Sequence, residues 1–134
     1  MPKFGTISQE RLATCHPDLQ RLFNEVIKHV DCQIICGHRG QAEQDAAVAN
    51  GFSKVKWPNG NHNKTPSDAV DVMPYPVDWS DSRANIEHLN YFGGIVRGIA
   101  FMLGINVRWG HDWDKDGKPD IKGLADRPHW ERIP

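Results

Sequence analysis

The order in which helical and strand-like patterns follow one another limits the fold of this 134-residue chain more than any other feature. Apolar residues recur at three- and four-residue steps over HPDLQRLFNEVIKHV (16–30) and RANIEHLNYFGGIVRGIAFMLG (83–104), which predicts two long helices. Shorter apolar runs predict strands at CQIICG (32–37), DAVDVM (68–73), INVRW (105–109) and HWERI (129–133). Because these elements do not alternate regularly, we predict a small α+β fold with helices packed on a mostly antiparallel sheet.

Two further, shorter helices complete the predicted elements. One short helix is predicted from near Ser8, and another at QAEQDAAVANG (41–51), where Asn-Gly is a typical stop. The second long helix contains Gly93, Gly94 and Gly98, and each glycine costs a helix interior about 1 kcal/mol relative to alanine. We expect another element to pack closely against the helix at these glycines.

The charge balance excludes some classes of partner. The formal net charge is −1 and the isoelectric point is about 6.6, so we expect no nucleic-acid partner. No apolar run approaches the ~18 residues of a transmembrane helix, and we expect no membrane insertion. The opening residues MPKFGTISQERLATCHP lack the apolar core of a signal peptide. A single domain over residues 1–134, acting as a monomer, is expected.

The chain has three cysteines, Cys15, Cys32 and Cys36, and an odd number argues against a disulfide framework. Cys32 and Cys36 flank Ile34 and Ile35, which predicts that both thiols lie in the core. A zinc site built on the C-x3-C spacing is disfavoured, since no second cysteine pair completes it.

Asp71 is a carboxylate inside the apolar strand pattern DAVDV. Side chains alternate along a strand, so Asp71 shares a face with Ala69 and Met73. A buried ionised carboxylate is costly without a partner, and that partner can be an arginine or a metal ion. His62, nine residues earlier on a loop, could fold back to the same ion.

The C-terminal segment ADRPHWERI supplies a second histidine, His129, and a carboxylate three residues before it, Asp126. A catalytic zinc ion typically has three protein ligands and one open position, which His62, Asp71 and His129 would provide. Asp126 could then accept a proton from the attacking water. Arg39, after the first strand, could stabilise the oxyanion of a tetrahedral intermediate.

A second ion is suggested by DWDKDGKPD, which resembles the first half of a calcium-binding loop. The candidate ligands are Asp112, Asp114, Asp116 and Asp120. Gly123 stands where such a loop carries its bidentate glutamate, and the alternative interpretation is an acidic turn.

Five segments carry a family resemblance: FGTISQERLATCHPDLQRL, ICGHRGQAEQ, DAVDVMPYP, VRWGHDWDKDG and DRPHWE. In this order they resemble zinc peptidases that cut peptidoglycan stem peptides. The family includes D-alanyl-D-alanine carboxypeptidases and, closer to this chain, phage endolysins that act as L-alanyl-D-glutamate endopeptidases. The resemblance implies a hedgehog/D-Ala-D-Ala peptidase-like fold and zinc on His62, Asp71 and His129. It also implies that Asp126 is the acid/base and that Arg39 stabilises the transition state.

The resemblance has two departures, both near the first histidine. Gly60 replaces the family's serine, and the interval from His62 to Asp71 is nine residues instead of seven. The extra residues fall in the loop before the strand, so Asp71 keeps its place. His111 is the alternative first ligand.

The resemblance implies bacterial peptidoglycan as the partner and lysis of a host cell as the role. We expect the protein to be made in the host cytoplasm and to act on the periplasmic cell wall after release. Three alternatives stay open: a D-alanyl-D-alanine carboxypeptidase, a non-catalytic zinc-binding module of this fold, and a histidine-metal nuclease. The charge balance disfavours the nuclease, and Asp126 with Arg39 favours an enzyme over a binding module.

Overall fold

A computed structural model describes residues 2–112, 115 and 126–134. The helices are α1 (Thr6–Leu12), α2 (Pro17–Val26), α3 (Gln41–Ala49) and α4 (Arg83–Leu103), with a short 3-10 turn at Asn61–Asn63. The strands are β1 (Cys32–Cys36), β2 (Ala69–Pro74), β3 (Val107–Trp109) and β4 (His129–Arg132). All eight predicted helices and strands are present, and only their ends differ by a few residues.

The four strands form one sheet in the order β1-β2-β4-β3, and every neighbouring pair is antiparallel. The predicted α+β class with an antiparallel sheet is therefore confirmed. β4 lies between β2 and β3, so that His129 pairs with Asp71 and Trp130 pairs with Trp109. This order brings the C-terminal histidine directly beside the carboxylate of β2.

The hydrophobic core lies between one face of the sheet and the helices. Val70 and Val72 of β2 belong to the core cluster, together with Phe23 of α2 and Val96 of α4. Trp130 of β4 completes it, stacked on the indole of Trp109 at 5.5 Å between ring centroids and edge-on to Phe23 at 6.5 Å. Because alternate residues point to opposite faces, Asp71 is turned away from this core.

Helix α2 shows how the local sequence sets an element. Pro17 occupies the first helical turn, and His16 caps the helix by accepting a hydrogen bond on Nδ1 from the Asp18 amide at 3.0 Å. Its apolar residues at three- and four-residue steps, Leu19 and Leu22 among them, are fully buried. Within the residues that the structure describes, the helices lack the combination of length and apolar character needed to cross a bilayer.

The expectation for the glycines of α4 is right at one position and wrong at two. A Cβ on Gly93 would lie 2.5 Å from Cζ2 of Trp109, so the indole packs directly on the helix backbone there. A Cβ on Gly94 or Gly98 would meet nothing within 4 Å. These two glycines face open space, and packing does not compensate for their cost to the helix.

The prediction that Cys32 and Cys36 are both core thiols is wrong for Cys36. Cys32 is buried in the core, whereas Cys36 is partly exposed. The register explains the difference: Ile34 pairs with Val72, but Cys36, not Ile35, pairs with Asp71. This β-bulge moves the side chain of Cys36 towards the Asp71 face of the sheet.

Candidate metal centre

Three segments bring two imidazole rings to one carboxylate oxygen. β2 supplies Asp71, the 3-10 turn supplies His62, and β4 supplies His129. Nε2 of His62 lies 3.4 Å from Oδ1 of Asp71, and Nδ1 of His129 lies 3.3 Å from the same oxygen. The two rings are 5.1 Å apart between centroids and inclined by 66°.

The hydrogen bond on the far side of His62 determines which ring nitrogen carries the proton. Nδ1 lies 2.7 Å from the carbonyl oxygen of Gly37, which can only accept, so Nδ1 donates. When the ring is neutral, as a metal ligand must be, Nε2 is therefore the unprotonated nitrogen. It is buried, and among the described residues no group hydrogen-bonds to it. Its lone pair therefore faces the carboxylate of Asp71.

His129 has the same arrangement, with a carboxylate in place of the carbonyl. Nε2 of His129 lies 2.9 Å from Oε1 of Glu131, closer than the 3.3 Å between Nδ1 and Asp71, which favours the tautomer that donates from Nε2. Nδ1 of the neutral ring then presents its lone pair towards Asp71. The other oxygen of Glu131 lies 3.7 Å from Nη1 of Arg108. A carboxylate behind a histidine is a common device for orienting a metal ligand.

The distance from each imidazole nitrogen to the carboxylate oxygen of Asp71 fits a small divalent cation. Two ligands bound to zinc at about 2.1 Å in a tetrahedral arrangement are about 3.4 Å apart. The two imidazole–carboxylate distances are 3.4 and 3.3 Å. Without a cation or a proton between them, the lone pairs of the rings and of the carboxylate would repel one another.

The electrostatics of the centre favour positive charge beside Asp71. Burial alone would lower the pKa of His62, but Asp71 and Cys36 outweigh it and raise this pKa to about 10. Burial also opposes protonation of His129, yet Asp71 and Glu131 raise its pKa. Burial would raise the pKa of Asp71, but the two imidazoles hold it well below its ordinary value. A bound divalent cation would supply this charge and displace the protons.

Cys36 is a second candidate for the third donor. Single donor atoms of Cys36, His62 and Asp71 all lie within 4.8 Å of one another, so this cluster can hold a metal ion. The thiol sulfur lies 4.0 Å from Nδ1 of His62, however, and that nitrogen carries the proton. Neither the helix and strand pattern nor the cysteine spacing indicated this position, because it depends on the β-bulge.

Arg39 lies on the other side of the carboxylate. Its Nη2 is 3.7 Å from Oδ2 of Asp71, and both side chains are largely buried. Nη1 of Arg39 donates to Oε1 of Gln44 at 3.1 Å. The guanidinium therefore adds a fixed positive charge at the edge of the centre.

Asp126 is exposed and lies in the turn that leads into β4, where its carbonyl oxygen accepts from the His129 amide at 2.9 Å. Partial desolvation raises the pKa of its carboxyl; His129 opposes this, and the negative charges of Asp71 and Glu131 add to it. Gly110 makes room for the turn, since a Cβ there would lie 2.2 Å from the Asp126 carbonyl oxygen. A raised pKa suits a group that both accepts and returns a proton.

The calcium prediction falls mostly outside the described residues, because Asp114, Asp116 and Asp120 are not among them. Asp112 is described; it is buried and paired with Arg97. The alternative first ligand, His111, has its Nε2 2.9 Å from Nη2 of Arg127. The predicted first ligand, His62, has its Nε2 3.4 Å from Oδ1 of Asp71.

Comparison with known proteins gives matches over nearly the whole chain. A family model described as phage L-alanyl-D-glutamate peptidase matches residues 1–133. The L-alanyl-D-glutamate peptidase of Escherichia phage T5 is 32% identical over 142 residues, which cover 98% of each chain. The solved structure of the Serratia marcescens L-Ala D-Glu endopeptidase ChiX superposes with a TM-score of 0.73 at 28% identity. That superposition covers 98% of this chain and 90% of ChiX.

Proposed function

The chain belongs to the phage L-alanyl-D-glutamate peptidase family, and from this premise we propose that it hydrolyses the L-alanyl-D-glutamate bond of peptidoglycan stem peptides. The observation that carries the proposal is the convergence of Nε2 of His62 and Nδ1 of His129 on Oδ1 of Asp71. Two ring nitrogens with lone pairs directed at one carboxylate oxygen form a ready donor set for a divalent cation. Residues 1–134 would form a single zinc peptidase domain.

The proposed zinc ligands are His62, Asp71 and His129. His129 is preferred to Cys36 as the third ligand because its unprotonated nitrogen faces Asp71, whereas the thiol lies at the protonated side of His62. Zinc bound there would act as a Lewis acid that polarises the scissile carbonyl and lowers the pKa of a water molecule towards ~7. The carbonyl oxygen of Gly37 and the carboxylate of Glu131 would hold the two rings in the ligating tautomer.

Asp126 and Arg39 have the remaining chemical roles. Asp126 would accept a proton from the attacking water and return it to the leaving amine, as its raised pKa and its exposure permit. Arg39 would stabilise the negative oxygen that develops on the carbonyl carbon. Its guanidinium is already held beside the centre, so little reorganisation is needed when that charge forms.

The proposed setting is the bacterial cell wall. The substrate would be peptidoglycan, and the physiological role would be host-cell lysis by a phage endolysin acting after its release to the periplasmic side. We propose a monomer with neither nucleic acid nor a membrane as a binding partner. Calcium binding by Asp112, Asp114, Asp116 and Asp120 is kept as a separate proposal.

Digestion of purified peptidoglycan, with mass spectrometry of the soluble fragments, tests the reaction. We expect fragments ending in L-alanine and fragments beginning with D-glutamate, and loss of both in Asp126→Asn. Asp81→Asn, an exposed carboxylate in the loop before α4, is the matched control and should digest like the wild type. Release of D-alanine alone would show that the protein is a carboxypeptidase instead. Peptidoglycan left undigested by the wild type would favour a non-catalytic binding module.

A further inference from the structure

Gln44 of α3 is a fully buried amide whose hydrogen-bonding groups are all used. Only 1% of the residue is exposed. Its Oε1 accepts from Nη1 of Arg39 at 3.1 Å and from Nδ2 of Asn63 at 3.0 Å. Its Nε2 donates to Oγ of Ser53 at 3.1 Å and to the carbonyl oxygen of Val55 at 2.6 Å. A glutamine side chain offers two acceptor and two donor positions, and all four are occupied.

The partners determine the orientation of this amide. A guanidinium has only donors, so the oxygen of Gln44 must face Arg39. A carbonyl has only acceptors, so the nitrogen of Gln44 must face Val55. Reversing the amide would set a donor against a donor and an acceptor against an acceptor. The oxygen of Gln44 is therefore a fixed anchor for the arginine.

Asn63 connects the same amide to the turn that carries His62. Nδ2 of Asn63 donates to the carbonyl oxygen of Arg39 at 3.1 Å as well as to Gln44, and its Oδ1 accepts from the Gly60 amide at 2.8 Å. The amide of Arg39 in turn donates to the carbonyl oxygen of His62 at 2.7 Å. Arg39 and the His62 turn are thus held against one buried side chain.

We propose that Gln44 is a positioning residue that sets both the guanidinium of Arg39 and the turn carrying His62 relative to Asp71. The inference rests on the proposed function for the role of Arg39, while the hydrogen-bond network stands without it. Within the described part of the chain, the side chain of Gln44 makes no hydrogen bond to Asp71 or to either imidazole. Its effect on the reaction must therefore pass through Arg39 and Asn63.

Two substitutions separate positioning from simple stabilisation. Gln44→Met keeps the length of the side chain but leaves Arg39 and Asn63 without their acceptor, and kcat should fall about 10- to 100-fold with little change in KM. Gln44→Glu restores the acceptor but not the donor to Val55. It should recover most of kcat while its melting temperature stays below that of the wild type. Gln41→Met, on the exposed side of α3, is the matched control and should change neither quantity.

A double-mutant cycle with Arg39→Ala tests the route of the effect. If Gln44 acts through Arg39, Gln44→Met should lower kcat less than about threefold in the Arg39→Ala background. Full additivity of the two substitutions would overturn the proposal. So would a Gln44→Met enzyme with wild-type kcat per folded, zinc-loaded molecule.

Zinc affinity gives a readout that is independent of peptidase activity. Competition with a chromogenic chelator should show about tenfold weaker zinc binding in Gln44→Met, because the His62 turn loses its anchor. If the wild type binds zinc but does not cut stem peptides, the proposed function fails and this measurement still tests Gln44. Equal zinc affinities of Gln44→Met and Gln41→Met would then overturn the inference.

Discussion

The identity of the third metal ligand can be decided by comparing His129→Ala with Cys36→Ser. Both side chains lie close to the pair formed by His62 and Asp71. Of these two side chains, only His129 directs a ring nitrogen at the carboxylate, 3.3 Å from Oδ1. Cys36 approaches His62 at Nδ1, 4.0 Å away, on the side that donates to Gly37.

The expected size of the effect follows from the number of ligands. Structural zinc sites with four ligands bind with about 10–16 kcal/mol, or roughly 3 kcal/mol for each ligand. Since about 1.4 kcal/mol is tenfold in affinity, His129→Ala should weaken zinc binding roughly 100- to 1000-fold. Cys36→Ser removes no ligand in this arrangement and should stay within about twofold of the wild type.

Chelator competition and elemental analysis after dialysis provide the measurement, with circular dichroism to verify folding. His29→Ala is the matched control, because this histidine is exposed and pairs only at the surface with Glu25. The reasoning is refuted if His129→Ala retains a full equivalent of zinc. Loss of zinc in Cys36→Ser would move the site to the cluster that includes the thiol.

Three further predictions concern the acid/base, the carboxylate behind the metal ligand, and the helix. Asp126→Asn should keep zinc but lower kcat by at least about 100-fold, measured on a soluble stem peptide. Glu131→Gln should weaken zinc binding about 10- to 100-fold, measured by chelator competition, because the carboxylate of Glu131 orients the imidazole of His129. Gly94→Ala and Gly98→Ala should each raise the free energy of unfolding by about 0.8–1 kcal/mol. Gly93→Ala should lower it by about 1–3 kcal/mol because its methyl group collides with an indole.

Each of these predictions has an outcome that contradicts it. Wild-type kcat in Asp126→Asn would remove the carboxylate from the proton transfer. Unchanged zinc affinity in Glu131→Gln would mean that the imidazole of His129 does not need a carboxylate at Nε2 to bind zinc. A higher free energy of unfolding in urea for Gly93→Ala than for Gly94→Ala would contradict the packing described for α4.

The elements of the fold could be predicted because each has a strong local signal. The apolar residues of α2 recur at helical spacing, with Leu19, Leu22 and Phe23 all buried. The run containing Val70 and Val72 is too short for a helix and ends at prolines, which marks it as a strand. Each of these signals depends on residues that are close together in the sequence.

What the sequence could not show depends on contacts between distant elements. The bulge opposite Asp71 turns Cys36 out of the core, and only the register of two paired strands reveals it. Gly93, Gly94 and Gly98 look alike in the sequence, yet only Gly93 meets Trp109. Their difference is set by where β3 crosses the helix.

The candidate site was predictable only in part for the same reason. Asp71 stood out as a charge in an apolar strand, and His62 and His129 could be named as its partners by the chemistry of the pattern and the family resemblance. Gln44 falls inside the resembling segment ICGHRGQAEQ, but nothing in the sequence indicated its burial, because a glutamine in a helix is ordinarily exposed. Its role emerges only when the loop of residues 53–55 and the 3-10 turn close over it.

The position of β4 has a consequence for the timing of activity during synthesis. β3 is an edge strand that is hydrogen-bonded to β4, and β4 is the last strand in chain order although it lies inside the sheet. A nascent polypeptide that has emerged only as far as β3 therefore has Asp71 and His62 but no His129 beside them. Such a chain should be inert on the ribosome, so the hydrolytic capacity would arise in one late step and not by degrees.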